Sequence, residues 1–197
     1  MPRKPPTLIL ASGSAYRREL LSRLKLEFSV VTSAVDESPA ADEKPADLAH
    51  RLAYLKASAV ANDHPGAVVI GSDQVAALKD RLLGKPGDLA TARKQLLACS
   101  GQSVAFYTAA CVLHPEAGFE ECHTDLTTVQ FRTLTEAEID AYLNAEKPFD
   151  CAGSFKSEGL GVTLFDAITN QDPTALIGLP LIWLAGCLRS AGLNPLS

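Results

Sequence analysis

Two positively charged side chains fall on helical faces that are otherwise apolar. On a helical wheel, Arg17 lies within the arc of leucines of its own helix, and Lys56 lies between Leu52 and Val60. One such cation is commonly a snorkelling side chain, whose charge reaches water along an apolar stem. Two of them on different helices instead indicate a buried site that contains an anion. The role of Arg18, which follows Arg17, stays open.

Carboxylates occur where two strands are expected to end. Asp73 ends the apolar run "VVIGSD", and Asp36 and Glu37 follow the run "FSVVTSAV". In open α/β sheets, ligands bind outside the carboxyl ends of the strands. A structural turn-capping role is the alternative for Asp73. We interpret Asp73 and Glu37 as site residues, and we leave Asp36 as an open third acid.

Small residues and a further lysine could bind phosphate. Ser12, Gly13 and Ser14 lie at the start of a helix, where free N–H groups and the helix dipole favour an anion. A plain serine cap is the alternative reading of this stretch. Lys85 lies in the turn "LGKP", where a solvated lysine is the usual explanation.

Together these residues fit the attack of water on a phosphoanhydride. Arg17, Lys56 and Lys85 would stabilise negative charge on phosphate oxygens. Glu37 and Asp73 would bind a divalent cation, Mg²⁺ or Mn²⁺, or deprotonate water. Whether Asp73 is the base, a metal ligand or both stays open at this point.

Other classes of site find little support in the sequence. The chain has no GxxxxGK[ST] loop and no GxSxG motif, and "GLG" at 159–161 is only a fragment of a dinucleotide fingerprint. The four histidines show no metal-ligand spacing and are interpreted as structural or surface residues: His50, His64, His114 and His123.

Strands that alternate with helices predict an α/β fold with a mixed sheet. Strands are expected in "LILA", "FSVVTSAVDE" and "GAVVIGSDQVAAL", and a long hairpin in "SVAFYTAACVLH" and "CHTDLTTVQFRTL". Helices are expected after Ser14, from about Pro45 to Asn62, after the cap Asp88, and after the capping box that begins at Thr135. The last helix is expected in the apolar segment 174–188, which is too short to span a bilayer.

Composition limits the class of protein and of partner. The 197 residues are 47% hydrophobic and 21% charged, which fits one globular domain or two small lobes that share a cleft. The net charge of −5 argues against general binding of nucleic acid. Five cysteines without a CxxC pair favour reduced thiols in the cytoplasm, and the start of the chain shows no secretion signal.

Several separated motifs resemble one known family. "LASGSAYRRELL", "VDE", "YLKASAV", "GSDQV", "GKP", "AGSFKSEGLG" and "LIGLPL" occur in the order found in Maf-like nucleoside triphosphate pyrophosphatases. The similarity extends from Leu8 to about Leu196. It implies a single domain over 1–197, with an elongated, two-lobed fold like that of inosine triphosphate pyrophosphatase. It also implies metal-assisted hydrolysis of a nucleoside triphosphate to the monophosphate and diphosphate.

The resemblance also assigns expected roles to individual residues. Asp73 matches the proton acceptor of the family. Polar residues that the resemblance places around phosphate and metal are Ser12, Ser14, Arg17, Glu37, Lys56 and Lys85. The family commonly has proline at position 15, where this chain has alanine; alanine is a good helix former, so no reacting group is lost.

Three positions match the branch of the family that acts on 7-methyl-GTP. Tyr16, Gln74 and Glu158 stand where the dTTP/UTP branch usually has arginine, threonine and glutamine. An aromatic face and a carboxylate both attract the cationic methylated purine. The alternative is that Tyr16 packs in the core and Glu158 is a solvated loop acid. The expected partner is therefore a small nucleotide, and the sequence is compatible with a homodimer.

Two other functions stay open from the sequence. One is the same hydrolysis with dTTP or UTP as the substrate. The other is a nucleotide-binding regulator of cell division with little catalysis.

Overall fold

Seven strands form one mixed sheet in the computed structural model, which describes residues 6–196. The strands are β1 (Thr7–Ala11), β2 (Ser29–Val30), β3 (Ala67–Leu78), β4 (Arg81–Leu83), β5 (Ser103–His114), β6 (Phe119–Phe131) and β7 (Phe165–Thr169). Their order is β2-β1-β3-β5-β6-β7, and β4 pairs with the far end of β3. β1 is parallel to both β2 and β3, whereas all other pairs are antiparallel. The predicted mixed sheet and the β5–β6 hairpin are confirmed.

Five α-helices pack against this sheet within the described residues. They are α1 (Ala15–Ser22), α2 (Pro45–Ala61), α3 (Leu89–Cys99), α4 (Glu136–Glu146) and α5 (Leu181–Ser190). Short 3₁₀ turns cover Pro115–Ala117, Ala152–Ser154 and Leu160–Leu164. No helix within residues 6–196 combines the length and the apolar character that a membrane crossing needs.

The helix caps form where the sequence predicts them. Asp88 accepts a hydrogen bond from the backbone N–H of Thr91 at 2.8 Å and caps α3. Thr135 and Glu138 form the reciprocal capping box of α4. Pro45 is the first residue of α2, a position that needs no backbone donor.

The buried side chains divide the molecule into two lobes. In the first lobe, one core lies between the sheet and α2, and another lies between the opposite face and α1 with α5. In the second lobe, a third core lies around α3 and α4 and contains Phe106, Phe131 and Phe155. β3 and β5 contribute buried residues to both lobes, so the sheet is continuous across the boundary where the cleft lies.

Helix α2 approaches strand β3 very closely at Gly71. A Cβ atom at this position would lie 2.2 Å from the carbonyl oxygen of Ala53 and 2.4 Å from the backbone nitrogen of Ala57. Only glycine leaves room for that approach. Because α2 carries Lys56 and β3 carries Asp73, this contact sets the distance between two predicted site residues.

Three predicted element boundaries are wrong. β2 covers only two residues, because β1 ends at Ala11 and leaves later residues of the second strand without a partner. The predicted strand in "GAVVIGSDQVAAL" is confirmed as β3, but the interpretation of Asp73 as a strand end is wrong: β3 continues to Leu78, because β4 and β5 pair with it beyond the end of β1. The last helix begins at Leu181 rather than near Thr174, after a run of turns.

The expectation of reduced thiols is also wrong for one pair of cysteines. Cys111 on β5 lies directly opposite Cys122 on β6, with 4.1 Å between their Cα atoms, and the two form a disulfide. Cys99, Cys151 and Cys187 are free. The pairing depends on the register of the hairpin, which the spacing of cysteines alone does not reveal.

Candidate active site

A cleft of about 700 Å³ opens between the two lobes. The ten residues that the sequence predicts for the site all line it: Ser12, Ser14, Tyr16, Arg17, Glu37, Lys56, Asp73, Gln74, Lys85 and Glu158. They come from the β1–α1 junction, the loop before α2, α2 itself, β3, the turn after β4 and the loop after α4. The fold thus brings together residues that are far apart in the chain.

Lys56 lies between two carboxylates. Its Nζ is 2.6 Å from Oε1 of Glu37 and 2.6 Å from Oδ1 of Asp73. Lys56 and Asp73 are only 7% and 8% exposed, whereas the side chain of Glu37 is 62% exposed. Asp73 and Lys56 thus form a buried ion pair whose charges are not left unpaired, and Glu37 faces the open side of the cleft.

The surrounding positive charges lower the pKa of Glu37. The hydrogen bond from Lys56 is the largest cause that lowers the pKa of Glu37, and the charges of Lys85 and Arg17 lower it further. Partial burial opposes this shift. Glu37 is therefore a carboxylate at neutral pH. Lys85 itself is exposed, and it forms no ion pair within 4 Å among residues 6–196.

Arg17 is held at the back of the cleft. Its Nε donates to the carbonyl oxygen of Gly178 at 3.0 Å, and its Nη1 donates to Oγ of Ser12 at 3.3 Å. Ser14 caps α1 by accepting from the backbone N–H of Arg17 at 3.4 Å. Burial lowers the pKa of Arg17, whereas the charges of Asp73 and Glu37 raise it. The guanidinium remains charged, and it faces the cleft from a helix whose leucines are core residues.

Tyr16 and Glu158 also line the cleft. The hydroxyl of Tyr16 donates to Oδ2 of Asp150 at 3.3 Å and lies 3.7 Å from Sγ of Cys151. Burial raises the pKa of Tyr16, so its ring is neutral. Glu158 is exposed and accepts a hydrogen bond from Oγ of Ser157 at 3.1 Å.

Gln74 differs from the other predicted residues because protein groups occupy its amide. Its Nε2 lies 2.9 Å from Oγ1 of Thr108, 3.1 Å from the carbonyl oxygen of Ala175 and 2.9 Å from that of Leu176. Side chains alternate along a strand, so Asp73 faces α2 while Gln74 faces the segment that contains Ala175. Gln74 therefore supports that segment with its amide N–H groups.

Two residues that the sequence leaves open do not line the cleft. Asp36 accepts a hydrogen bond from the backbone N–H of Ser38 at 2.9 Å and stabilises the loop before α2. Arg18 is exposed on the outer side of α1. Asp36 therefore acts on the site only through the loop that carries Glu37.

Sequence reasoning missed several residues of the cleft. Lys156, Asp150 and Cys151 line it, and the carbonyl oxygen of Gly178 fixes Arg17. The glycine-flanked motif that contains Lys156 was a usable signal for this lysine. Gly178 lies in the quoted motif "LIGLPL", but a backbone carbonyl is common to every residue, so the sequence does not indicate that this one binds Arg17.

The described residues include no group of three or more His, Cys, Asp or Glu side chains that could hold a metal ion. Glu37 and Asp73 are the predicted metal ligands, and both lie against the same Nζ. Two carboxylates with further oxygens from a substrate fit the coordination that Mg²⁺ prefers. A metal site built from this chain would therefore need phosphate oxygens to complete it.

The sequence of this chain is similar to those of known proteins. A sequence model of the family described as Maf-like protein matches residues 7–191. A 7-methyl-GTP pyrophosphatase from Xanthomonas oryzae pv. oryzae is 60% identical over 190 residues, which cover 96% of this chain and 98% of the relative. The Bordetella pertussis protein of the same name is 54% identical over 201 residues, 100% of this chain and 98% of the relative.

Among solved structures, the Staphylococcus aureus Ham1 protein has a TM-score of 0.47 and 13% identity, over 64% of this chain and 71% of that chain. At this TM-score and identity, the likeness supports no statement about fold or function. The family match covers nearly the whole chain, and the two relatives are more than half identical to it. The chain belongs to the Maf-like protein family.

Proposed function

We propose that this chain hydrolyses 7-methyl-GTP to 7-methyl-GMP and diphosphate. The observation that carries the proposal is the ion-paired cluster in the cleft, where Lys56 contacts both Glu37 and Asp73 beside Arg17 and Lys85. A polyphosphate needs several cations in one concave site, and hydrolysis needs a carboxylate among them. The names of the relatives, 7-methyl-GTP pyrophosphatase, support the same substrate.

In the proposed reaction, Asp73 accepts a proton from a water molecule. The water oxygen forms a bond to the α-phosphorus, and the bond from that phosphorus to the bridging oxygen breaks. Diphosphate leaves with the electrons of the broken bond. Lys56, Arg17 and Lys85 stabilise the negative charge that develops on the oxygens, and the contact with Lys56 holds the carboxylate of Asp73 in the cleft.

Glu37 and Asp73 would hold a divalent cation together with phosphate oxygens of the substrate. Their hard oxygen donors fit Mg²⁺ or Mn²⁺. When bound, the cation would neutralise charge on the phosphates and stabilise the diphosphate leaving group. Lys56 would then keep one carboxylate partner or contact the phosphates directly.

The base would bind at the part of the cleft that contains Tyr16. The methylated purine is a cation, which an aromatic face attracts. Asp150 holds the hydroxyl of Tyr16 and adds negative charge beside it, and Glu158 adds another carboxylate to the lining of the cleft. Gln74 would influence base binding only indirectly, by holding the segment behind the cleft, because its amide is bound to protein groups.

A substrate panel tests the proposal. Diphosphate release is measured from 7-methyl-GTP, GTP, UTP and dTTP with Mg²⁺ or Mn²⁺, and kcat/KM is compared. We expect 7-methyl-GTP to be preferred. Asp73→Asn should lower kcat by about 10²–10⁴-fold, the usual contribution of a general base. The matched control Asp88→Asn changes an exposed carboxylate outside the cleft and should keep its activity.

Three outcomes would contradict the proposal. Preference for UTP or dTTP would assign the same chemistry to pyrimidine nucleotides. Tight nucleotide binding without turnover would favour a regulator, and full activity of Asp73→Asn would overturn the role of Asp73.

A further inference from the structure

A segment behind the cleft holds several site residues through its backbone. We call residues 172–180 the anchor segment. The carbonyl oxygen of Gly178 accepts from Nε of Arg17 at 3.0 Å and from Oγ of Ser72 at 3.2 Å. One backbone oxygen, with its two lone pairs, therefore links α1 to the strand that carries Asp73.

Two more carbonyls of the anchor segment bind Gln74 on the same strand, and one of them also binds Thr108 on β5. Ala175 accepts from Gln74 at 3.1 Å and from Thr108 at 2.9 Å, and Leu176 accepts from Gln74 at 2.9 Å. Ser72 and Gln74 flank Asp73 and point to the face opposite to it. The anchor segment thus supports β3 from one face while Lys56 binds Asp73 on the other.

Asp172 fixes the conformation of the anchor segment. It is 3% exposed and does not line the cleft. Its Oδ1 accepts from the backbone N–H of Thr174 at 2.9 Å and lies 2.6 Å from the hydroxyl of Thr174. Its Oδ2 accepts from the backbone N–H of Ile182 at 2.6 Å, in the first turn of α5. One carboxylate therefore ties the start of the anchor segment to the helix that follows it.

The hydroxyl of Thr174 extends this connection. It accepts from the backbone N–H of Leu181 at 3.0 Å and lies 2.8 Å from the carbonyl oxygen of Leu179. Between these two ends, Gly178 has a φ of 136°, which side-chain-bearing residues rarely adopt. The position of the Gly178 carbonyl therefore depends on how firmly both ends of the anchor segment are held.

We propose that Asp172 is a positioning residue that acts through Arg17. It holds the anchor segment so that the carbonyl of Gly178 orients the Arg17 guanidinium toward the phosphates of the nucleotide. The inference rests on the proposed function, because the effect is measured on that reaction. The simpler alternative is that Asp172 only caps α5 and stabilises the fold.

A double-mutant cycle separates these two roles. The variants are Asp172→Ala, Arg17→Ala and the pair together, and kcat/KM for 7-methyl-GTP is measured well below the melting temperature of each. We expect Asp172→Ala to lower kcat/KM by about 10–100-fold, as expected for a misplaced binding group. With Arg17 already removed, Asp172→Ala should lower it by less than about threefold, because coupled residues are not additive.

A cap at a different helix provides the matched control. Thr135 caps α4, is exposed, and lies outside the cleft. Thr135→Ala should lower the melting temperature and change kcat/KM by less than about twofold, because surface changes away from a site act mainly on stability. If Thr135→Ala reduces activity as much as Asp172→Ala does, the positioning role is overturned.

Asp172→Asn keeps the inference testable if Asp172→Ala does not fold. It retains an acceptor for one of the two backbone N–H groups and enters the same cycle with Arg17→Ala. Additive losses in the cycle, with an active wild-type chain, overturn the inference alone. A wild-type chain that releases no diphosphate from any of the four nucleotides overturns the proposed function, and the inference with it.

Discussion

Lys56 connects two acidic residues that would otherwise repel each other. Its Nζ is 2.6 Å from each carboxylate, and Asp73 is almost fully buried. Without the lysine, two carboxylates would share one site with no cation between them, and the buried Asp73 would lose its charged partner. A lysine in this position therefore holds both carboxylates around one Nζ before any ligand binds.

Removing the charge of Lys56 should raise the pKa of Glu37. In the folded protein this pKa lies below its ordinary value of 4.5, so the ion pair adds stability above that pH and loses it as the pH falls through the folded pKa. In Lys56→Met, the carboxyl of Glu37, followed by NMR during a pH titration, should titrate at a higher pH. The acid-side loss of stability that belongs to Glu37 should then disappear.

Arg51 on the same helix gives the control for this titration. Its guanidinium binds Glu43 and lowers the pKa of Glu43 to about 2. Arg51→Met should raise the pKa of Glu43 and leave that of Glu37 unchanged. An unchanged pKa of Glu37 in Lys56→Met would show that Lys56 does not govern its charge.

At the scale of elements, the contact between α2 and β3 determines how close Lys56 comes to Asp73. Gly71 lets the helix backbone touch the strand, and the neighbouring residues of α2 at the contact are alanines, Ala53 and Ala57. Small residues on both sides are what close packing requires. The site therefore depends on a position that carries no functional group.

Gly71→Ala should be destabilising and should impair the site. The new Cβ would meet backbone atoms at 2.2 Å, so α2 must move away from β3. We expect a loss of about 1–3 kcal/mol in the free energy of unfolding, typical of overpacking, and a lower kcat/KM. Urea unfolding and the diphosphate assay measure the two effects.

Gly84→Ala is the matched control for stability, because a Cβ at Gly84 meets nothing within 4 Å. It should change the free energy of unfolding by less than about 0.5 kcal/mol. Equal losses in the two variants would show that the close contact at Gly71 does not limit stability.

Elements and site residues differ in how far the sequence predicts them. Long periodic helices, their caps and the β5–β6 hairpin follow from local patterns, and the ten predicted residues do lie in one cleft. The length of β2 depends on β1, its partner, rather than on its own residues. The bonds of Gln74 join positions about 100 residues apart, which no local pattern encodes.

At the scale of the whole molecule, the two lobes share their strands. β3 and β5 supply buried side chains to the cores on both sides of the cleft. If β3 and β5 unfolded in one lobe, the buried side chains of the other lobe would be exposed as well. We therefore propose that residues 1–197 behave as one domain.

Calorimetry tests this proposal. The wild-type chain should unfold in one cooperative transition, with the calorimetric and van't Hoff enthalpies equal. Because both lobes line the cleft, bound nucleotide should stabilise both together. At a nucleotide concentration 100 times Kd, the free energy of unfolding should rise by about 2.7 kcal/mol, and the single transition should move to a higher temperature. Asp73→Asn would be used for this measurement to prevent turnover. Two separate transitions, of which only one responds to nucleotide, would contradict the proposal.

The β5–β6 hairpin has a consequence for how a nucleotide enters. Its residues pair without interruption from Ser103 opposite Gln130 to His114 opposite Phe119. This ladder contributes to both lobes, so the lobes cannot move apart as rigid bodies without breaking its hydrogen bonds. We therefore expect a nucleotide to enter and leave between the loops that line the cleft, while the shared sheet keeps its shape.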